Sequence, residues 1–297
     1  MTTLALVGCG SWGRNLVRVF DDLATVRWCC HTGSTENREW MQTNYPGVSM
    51  TTEYRRVLDD PAVDAVAIAT PIDTHYDLVR RALRAGKHVF VEKPVTVSTE
   101  RANELVALAD DADRHLFVGY VFVYHPVFRQ LASIHETDPI EALYFDWRKT
   151  GGFSADIVAN LGSHDFAMAR RLTGSRPTEV RVVHETRLYG GRNVVSIAAA
   201  HDDGPDCRID LNRLAPDDRK TVTFVTASGN LFVWTGMRLE RLEPAATAFE
   251  GVFEGDREPL AEECGAFIDA VENGSDPVTD GAFGRDVTAA FADILED

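Results

Sequence analysis

The chain has 297 residues, 44% of them hydrophobic, and a formal charge of −16 at pH 7, which is length and apolar content enough for two ordinary domains. The negative balance, with no basic run interleaved with aromatics, excludes nucleic acid as a partner. No stretch approaches the roughly 20 apolar residues of a membrane span, and Met1-Thr2-Thr3 leads into a strand without a basic leader, so no membrane partner and a soluble, cytoplasmic protein are expected.

In chain order, short apolar strands alternate with helical patterns. Leu4 to Val7 is followed by a helix from about Trp12 to Phe20 and by the strand Val26 to Cys30. Then come Ala65 to Ala69, a helix from about His75 to Ala85 closed by Gly86, the strand His88 to Val91, a helix from Ser98 to about Asp110, and Leu116 to Val118. This βαβ rhythm, with strands apolar on both faces, predicts a parallel sheet covered by helices. From Ala142 onward the strands Ala142 to Trp147, Glu179 to His184, Val194 to Ala199, Cys207 to Leu211, Thr221 to Thr226 and Leu231 to Trp234 are joined mostly by short polar turns. Asp202-Asp203-Gly204-Pro205 and Ser228-Gly229-Asn230 read as hairpin connections, so this half is expected to be mostly antiparallel. Two helices interrupt or close it, Asp156 to Thr173 with Gly174 after it, and Glu258 to Asn273. The expected fold is an α/β Rossmann domain over residues 1–120, then an α+β domain over 121–297 with an open, mostly antiparallel sheet. The boundary falls between Val118 and Pro126. Such an open face predicts self-association as a homodimer or homotetramer.

The five cysteines, Cys9, Cys29, Cys30, Cys207 and Cys264, show neither C-x-x-C nor zinc-ligand spacing, so buried free thiols and no metal are expected. Lysine occurs only at Lys87, Lys93, Lys149 and Lys220. A Lys-poor, Asp-rich surface suits a salty cytoplasm, and genomic base composition explains it equally well.

Gly8-Cys9-Gly10-Ser11-Trp12-Gly13 follows the first strand and opens the first helix. Its glycines serve a tight turn, close approach of backbone to a pyrophosphate, and helix–sheet packing, with the helix N-terminus facing the phosphates. A dinucleotide is therefore expected across Gly8, Gly10, Ser11, Trp12 and Gly13. At the end of the second strand, where an acidic residue reads the ribose of NAD, the chain offers Cys30-His31-Thr32-Gly33-Ser34. His31, Thr32, Ser34 and Arg38 suit a 2′-phosphate, which favours NADP; Glu36 or backbone reading the ribose of NAD is the alternative. Two later strands end at Ala69-Thr70-Pro71 and Glu92-Lys93-Pro94, on the rim where such sheets bind ligands. A lysine there can hydrogen-bond a substrate hydroxyl and assist its proton transfer.

Thr70-Pro71 with His75, Gly86-Lys87-His88-Val89 and Glu92-Lys93-Pro94 resemble the signature of the Gfo/Idh/MocA oxidoreductases. The resemblance extends through Gly119 to Pro126, Gly162-Ser163-His164-Asp165 with Gly174, and Pro259-Leu260-Ala261-Glu262 to Asp280-Gly281. It implies that Thr70, Pro71, His75, Glu92 and Lys93 line the cofactor, that Lys93 contacts the reacting hydroxyl, and that the Lys93-Pro94 peptide is often cis. It also implies an Asp-x-x-x-His helix whose histidine is the acid/base. Here that element reads Asn160-Leu161-Gly162-Ser163-His164, and a further acidic position of the family is Ala167. Asn160 can orient a ring or hydroxyl but carries no charge, and Asp156 or Asp165 are candidates to replace it. The stretch Trp147-Arg148-Lys149-Thr150-Gly151-Gly152-Phe153, with Phe122, Tyr124 and His125, resembles the branch acting on nucleotide sugars; Arg148 or Lys149 would pair with an anionic diphosphate or uronate, unless the stretch is an ordinary exposed strand end.

Catalytic Lys93, His164 and Asn160 are thus expected, with Tyr124, Arg148, Asp156, Asn160 and His164 around a sugar-like substrate. The expected activity is NAD(P)-dependent hydride transfer to or from a sugar, nucleotide sugar or cyclitol. Two alternatives stay open: a dinucleotide sensor or regulatory subunit that lost the reaction, and cofactor-recycling chemistry such as glycoside cleavage.

Overall fold

A computed structural model describes residues 1–151, 155–188, 191–202 and 204–296. It divides into two compact units, one made of Met1–Tyr120 with Leu260–Thr288 and the other of Val121–Pro259 with Ala289–Asp297.

The first unit opens β1 (Thr3–Val7), α1 (Ser11–Leu23), β2 (Thr25–Cys30), α2 (Thr35–Asn44), β3 (Ser49–Thr51) and α3 (Tyr54–Leu58). It continues β4 (Ala65–Ile68), α4 (Ile72–Arg84), β5 (His88–Glu92), α5 (Thr99–Ala112) and β6 (Leu116–Gly119). The six strands are parallel in the order β3-β2-β1-β4-β5-β6. The chain reverses direction between β1 and β4, which creates a crevice outside their carboxyl ends. Leu16, Val17, Val19 and Phe20 form the buried face of α1. Gly86 ends α4 at φ +73°, a conformation that a side chain would disfavour. α2 and β3 were not evident from the sequence, because only Met41 of α2 is buried and β3 has three residues. The helix start is instead fixed by Ser34, whose hydroxyl accepts from the Asn37 N–H.

The second unit contains α6 (Pro126–Thr137), β7 (Ile140–Arg148), a π-helical turn (Val158–Gly162), α7 (Ser163–Thr173), β8 (Glu179–Leu188), β9 (Gly191–Ala200) and β10 (Asp206–Asn212). β11 (Arg219–Thr226), β12 (Leu231–Thr235), β13 (Arg238–Leu242) and β14 (Glu250–Glu254) complete its sheet, ordered β14-β13-β12-β11-β7-β10-β9-β8. Among the described strands of this sheet, β7 and β10 form the single parallel pair. Both expected hairpins join antiparallel strands, although Asp203 of the first lies outside the described residues. One face is the core, with Leu143, Phe145, Val195, Ile197, Ile209, Leu211, Val222 and Phe224 buried, while Tyr144, Val183 and Val225 on the other are exposed.

The last helices are α8 (Pro259–Asn273) and α9 (Gly281–Glu296). α8 packs in the first unit, where Phe267 meets Phe20, Phe90 and Phe117 at ring distances of 6.2, 5.7 and 5.6 Å. At the start of α9, Gly281 and Gly284 approach Leu116 and Val118 so closely that a Cβ would come within 2.9 and 2.6 Å of their side chains. All five cysteines are buried and free.

Candidate active site

β1 delivers the chain into Gly8, which has φ +94° and whose added Cβ would lie 2.6 Å from the Ala69 carbonyl oxygen at the end of β4. At Gly13 a Cβ would lie 2.0 Å from the Gly8 carbonyl oxygen, so only glycine lets α1 begin this close to β1. A Cβ at Gly10 would meet nothing within 4 Å. Gly10 is also the N-cap and supplies no side-chain acceptor, so the first N–H groups of α1 remain for an anion. These features fit a pyrophosphate. Ser11 and Trp12 are exposed at the helix start, and the Trp12 indole N–H donates to the Glu92 carboxylate.

Beyond β2, the His31 ring accepts from the Cys9 N–H at 3.3 Å and lies where a Cβ at Gly33 would come within 2.7 Å of it. Burial, helped by Arg38, lowers its pKa. Thr32 and Glu36 are exposed, while the Ser34 hydroxyl is engaged as the cap of α2. Arg38 is half-buried, with no hydrogen-bond partner at Nε. A second cation, which the sequence reading missed, is Arg14; it donates to Asn37 Oδ1 at 2.7 Å and stacks 4.6 Å from the Trp40 ring. The Cys9 thiol is shifted down first by its hydrogen bond with Cys29 and further by both arginines, which places both charges beside the glycine loop.

At the ends of β4 and β5, Thr70 pairs with Thr74 through their hydroxyls at 2.6 Å. His75, expected among the cofactor contacts, is buried, with its ring nitrogens 2.8 Å from the Pro94 carbonyl oxygen and 2.9 Å from that of Thr70, one of which accepts from the N–H of the neutral ring. It is a strut joining the loop of Thr70 and Pro71 to the turn of Lys93 and Pro94. The Lys93-Pro94 bond is cis. Glu92 is buried, and desolvation lifts its carboxyl to about 7 although the Trp12 N–H and the Lys93 charge favour ionisation. Beside it the sequence reading overlooked Glu263 of α8, fully buried, with no hydrogen-bond partner for either oxygen among the described residues. Burial and the charge of Glu92 raise its pKa well above the usual carboxylate range. In the sequence Glu263 reads as one more helical glutamate, and only packing reveals it. Lys93 itself is half-buried at this strand end.

In the second unit the helix expected over 156 to 173 is divided. Val158–Gly162 forms a π turn that packs on β10, where a Cβ at Gly162 would lie 3.1 Å from Leu211. α7 then begins at Ser163 and carries His164 in its first turn. Asn160 is half-buried in the π turn, and His164 is buried. His164 lies edge-on to Phe122 at 5.0 Å and 5.5 Å from Trp147. Both carboxylates considered as replacements for the charge absent at Asn160 are paired with cations. Asp156 accepts from the Val158 N–H at 2.8 Å and pairs with Arg192 at 3.2 Å. Asp165 is fully buried and pairs with Lys220 of β11. Lys220 was not anticipated: a lone lysine just before an apolar strand reads as a solvent edge. Its ammonium is enclosed, 3.8 Å from the Trp147 ring centre and 4.9 Å from that of Phe122. Tyr124 is buried, and Arg148 is half-buried and paired with Asp146 at 3.2 Å. Gly152 and Phe153 lie outside the described residues.

Residues 2–120 match the model of the family described as "Oxidoreductase family, NAD-binding Rossmann fold". Among curated relatives, UDP-N-acetylglucosamine 3-dehydrogenase of Acidithiobacillus ferrooxidans is 34% identical over 123 residues, 41% of this chain and 39% of that protein. The inositol 2-dehydrogenase of Rhizobium meliloti is 33% identical over 40% of this chain and 39% of its own length. The chain thus spans about two fifths of the length of these relatives. The scyllo-inositol 2-dehydrogenase (NAD(+)) of Bacillus subtilis is 26% identical over 75% of this chain and 71% of its own. A solved structure of the Acidithiobacillus ferrooxidans enzyme superposes with a TM-score of 0.88 at 21% identity, covering 97% of this chain and 94% of that one, so the likeness in fold runs through both units.

Proposed function

Residues 2–120 of this chain belong to the Gfo/Idh/MocA oxidoreductase family, and from that premise we propose that the protein moves a hydride between a nicotinamide dinucleotide and a hydroxyl-bearing or keto carbon of a sugar, nucleotide sugar or cyclitol. The observation that carries this reading is Lys93, a cation at the carboxyl end of β5, next to a strand end tied to the glycine loop through Glu92 and Trp12. The nicotinamide, when bound, supplies the hydride acceptor or donor. The loop from Gly8 to Gly13 and the start of α1 hold the pyrophosphate. Lys93 hydrogen-bonds the substrate hydroxyl and stabilises the alkoxide character that develops as its proton leaves. In the second unit His164 is the acid/base and Asn160 positions a substrate hydroxyl, while Tyr124 supports the wall from within.

His31 after β2, with Arg38 of α2 and Arg14 of α1 near the glycine loop, favours NADP over NAD. The exposed Tyr144, Val183 and Val225 favour self-association through the second sheet. A second reading, a dinucleotide sensor that lost the reaction, is favoured by one observation: Asp156 and Asp165, the acids nearest Asn160 in sequence, are bound to Arg192 and Lys220.

Turnover of Lys93→Met on a panel of myo-inositol, scyllo-inositol and UDP-N-acetylglucosamine separates the two. The enzyme reading expects turnover by the parent chain and its loss in the variant, with cofactor affinity retained. An unchanged rate in the variant removes Lys93 from the mechanism. Cofactor binding without turnover of any sugar, nucleotide sugar or cyclitol supports the sensor.

A further inference from the structure

Asp165 is fully buried and gives one oxygen, Oδ1, to Lys220, while its Oδ2 has no hydrogen-bond partner among the described residues. Lys220 is 12% exposed, and among the described residues Asp165 is the acceptor for its N–H groups; ring faces also surround it, Trp147 at 3.8 Å, Phe122 at 4.9 Å and Phe145 at 6.0 Å. A buried ion pair is stabilising when its remaining donors and lone pairs are also satisfied, and this pair leaves both kinds open at one place. Burial disfavours the charges on both residues, lowering the lysine and raising the aspartate. Phe122 and Trp147, the two rings nearest the ammonium, are also the rings against which His164 lies, at 5.0 and 5.5 Å.

The ligand chemistry follows from the open valences. An anion would meet an ammonium already neutralised and a carboxylate beside it. A hydroxyl accepts from Lys220 Nζ and donates to Asp165 Oδ2 at once, and so completes both groups without adding charge. We infer that Lys220 and Asp165 form a hydroxyl-binding subsite in the second unit, holding one hydroxyl of a sugar or cyclitol ring beside His164 and so helping to set which polyol the protein accepts. The inference rests on the proposed reading of the second unit as the substrate-binding half. Lys220 and Asp165 act here as specificity residues, distinct from proton transfer at His164.

The test is binding to the full chain, followed by saturation-transfer NMR with myo-inositol, scyllo-inositol and UDP-N-acetylglucosamine, each compared with analogues lacking one ring hydroxyl. The parent chain is expected to bind at least one of the three. Lys220→Met should weaken that ligand about tenfold or more, the loss expected of one hydrogen bond to a charged group. The analogue lacking the bound hydroxyl should bind parent and variant alike, which a merely structural role would not produce. Because Lys220→Met alone leaves Asp165 buried without its cation, the double variant with Asp165→Asn removes both charges and gives the same comparison if the single variant does not fold. Affinities within about twofold of the parent for every ligand overturn the subsite, as does a parent chain that binds none of them. Nicotinamide reduction with unaltered affinity in the variants overturns the subsite and leaves hydride transfer standing. Lys220-dependent binding without nicotinamide reduction leaves the subsite standing and removes hydride transfer to these compounds.

Discussion

Replacing Glu263 by Gln should stabilise the first unit at neutral pH while leaving it nearly unchanged in acid. Glu263 is fully buried on α8, neither of its oxygens has a hydrogen-bond partner, and burial with the Glu92 charge holds its pKa well above the ordinary 4.5. Glu92 is itself lifted to about 7. A carboxyl whose folded pKa is raised keeps its proton in the folded chain after the unfolded chain has released it. Stability is therefore greatest below the unfolded value and falls as pH rises toward the folded one, at about 1.4 kcal/mol per pH unit for each such proton. Gln keeps the shape, cannot ionise, and offers an N–H toward Glu92. Hydrogen exchange of the β5 amides reads the first unit by itself. The variant should match the parent at about pH 5 and gain on it progressively as the pH is raised toward about 7. A difference between variant and parent that stays constant with pH refutes the reasoning, because Glu263 would then titrate as an ordinary carboxylate.

Three further outcomes are expected. Gly13→Ala places a Cβ 2.0 Å from the Gly8 carbonyl oxygen, a backbone atom that cannot turn aside, and should lower stability by about 3 kcal/mol, the upper end of overpacking; a normal urea midpoint would show that α1 shifts freely. Arg192 is 5% exposed and holds Asp156, Glu185 and the Ile294 carbonyl. Its replacement by Met should destabilise the second unit by about 2–3 kcal/mol, less than a fully buried pair because both acids are partly exposed, and an unchanged thermal midpoint contradicts this. Arg38→Ala should weaken NADPH by about tenfold while sparing NADH, as loss of a contact to the 2′-phosphate would; equal losses for both remove Arg38 as the 2′-phosphate reader.

The Rossmann unit was legible because its information is local: glycines at Gly8, Gly10 and Gly13, strands apolar on both faces, and strand ends at Thr70 and Lys93. The second sheet was legible as alternation, but β13 and β14 escaped notice; their residues are mostly half-buried or exposed, so little alternation marks them. The helix expected from apolar spacing is continuous, but the π turn from Val158 to Gly162 within it was not legible, since a wider turn leaves composition unchanged. The charged partners were least legible. Glu263 with Glu92 comes from elements 171 positions apart, and Lys220 with Asp165 from elements 55 apart; no spacing rule joins such residues. The same long-range pairing ties Asp156 to Arg192 and Asp165 to Lys220.

The central claim is that the glycine loop and the strand ends around it hold a nicotinamide dinucleotide. Fluorescence titration of the full chain with NADPH and with NADH tests it most directly. Saturable binding in the micromolar range, tighter for NADPH and lost in Gly13→Ala, is the predicted result. Failure of both dinucleotides to bind below millimolar concentration would contradict the account and remove the enzyme and sensor readings together.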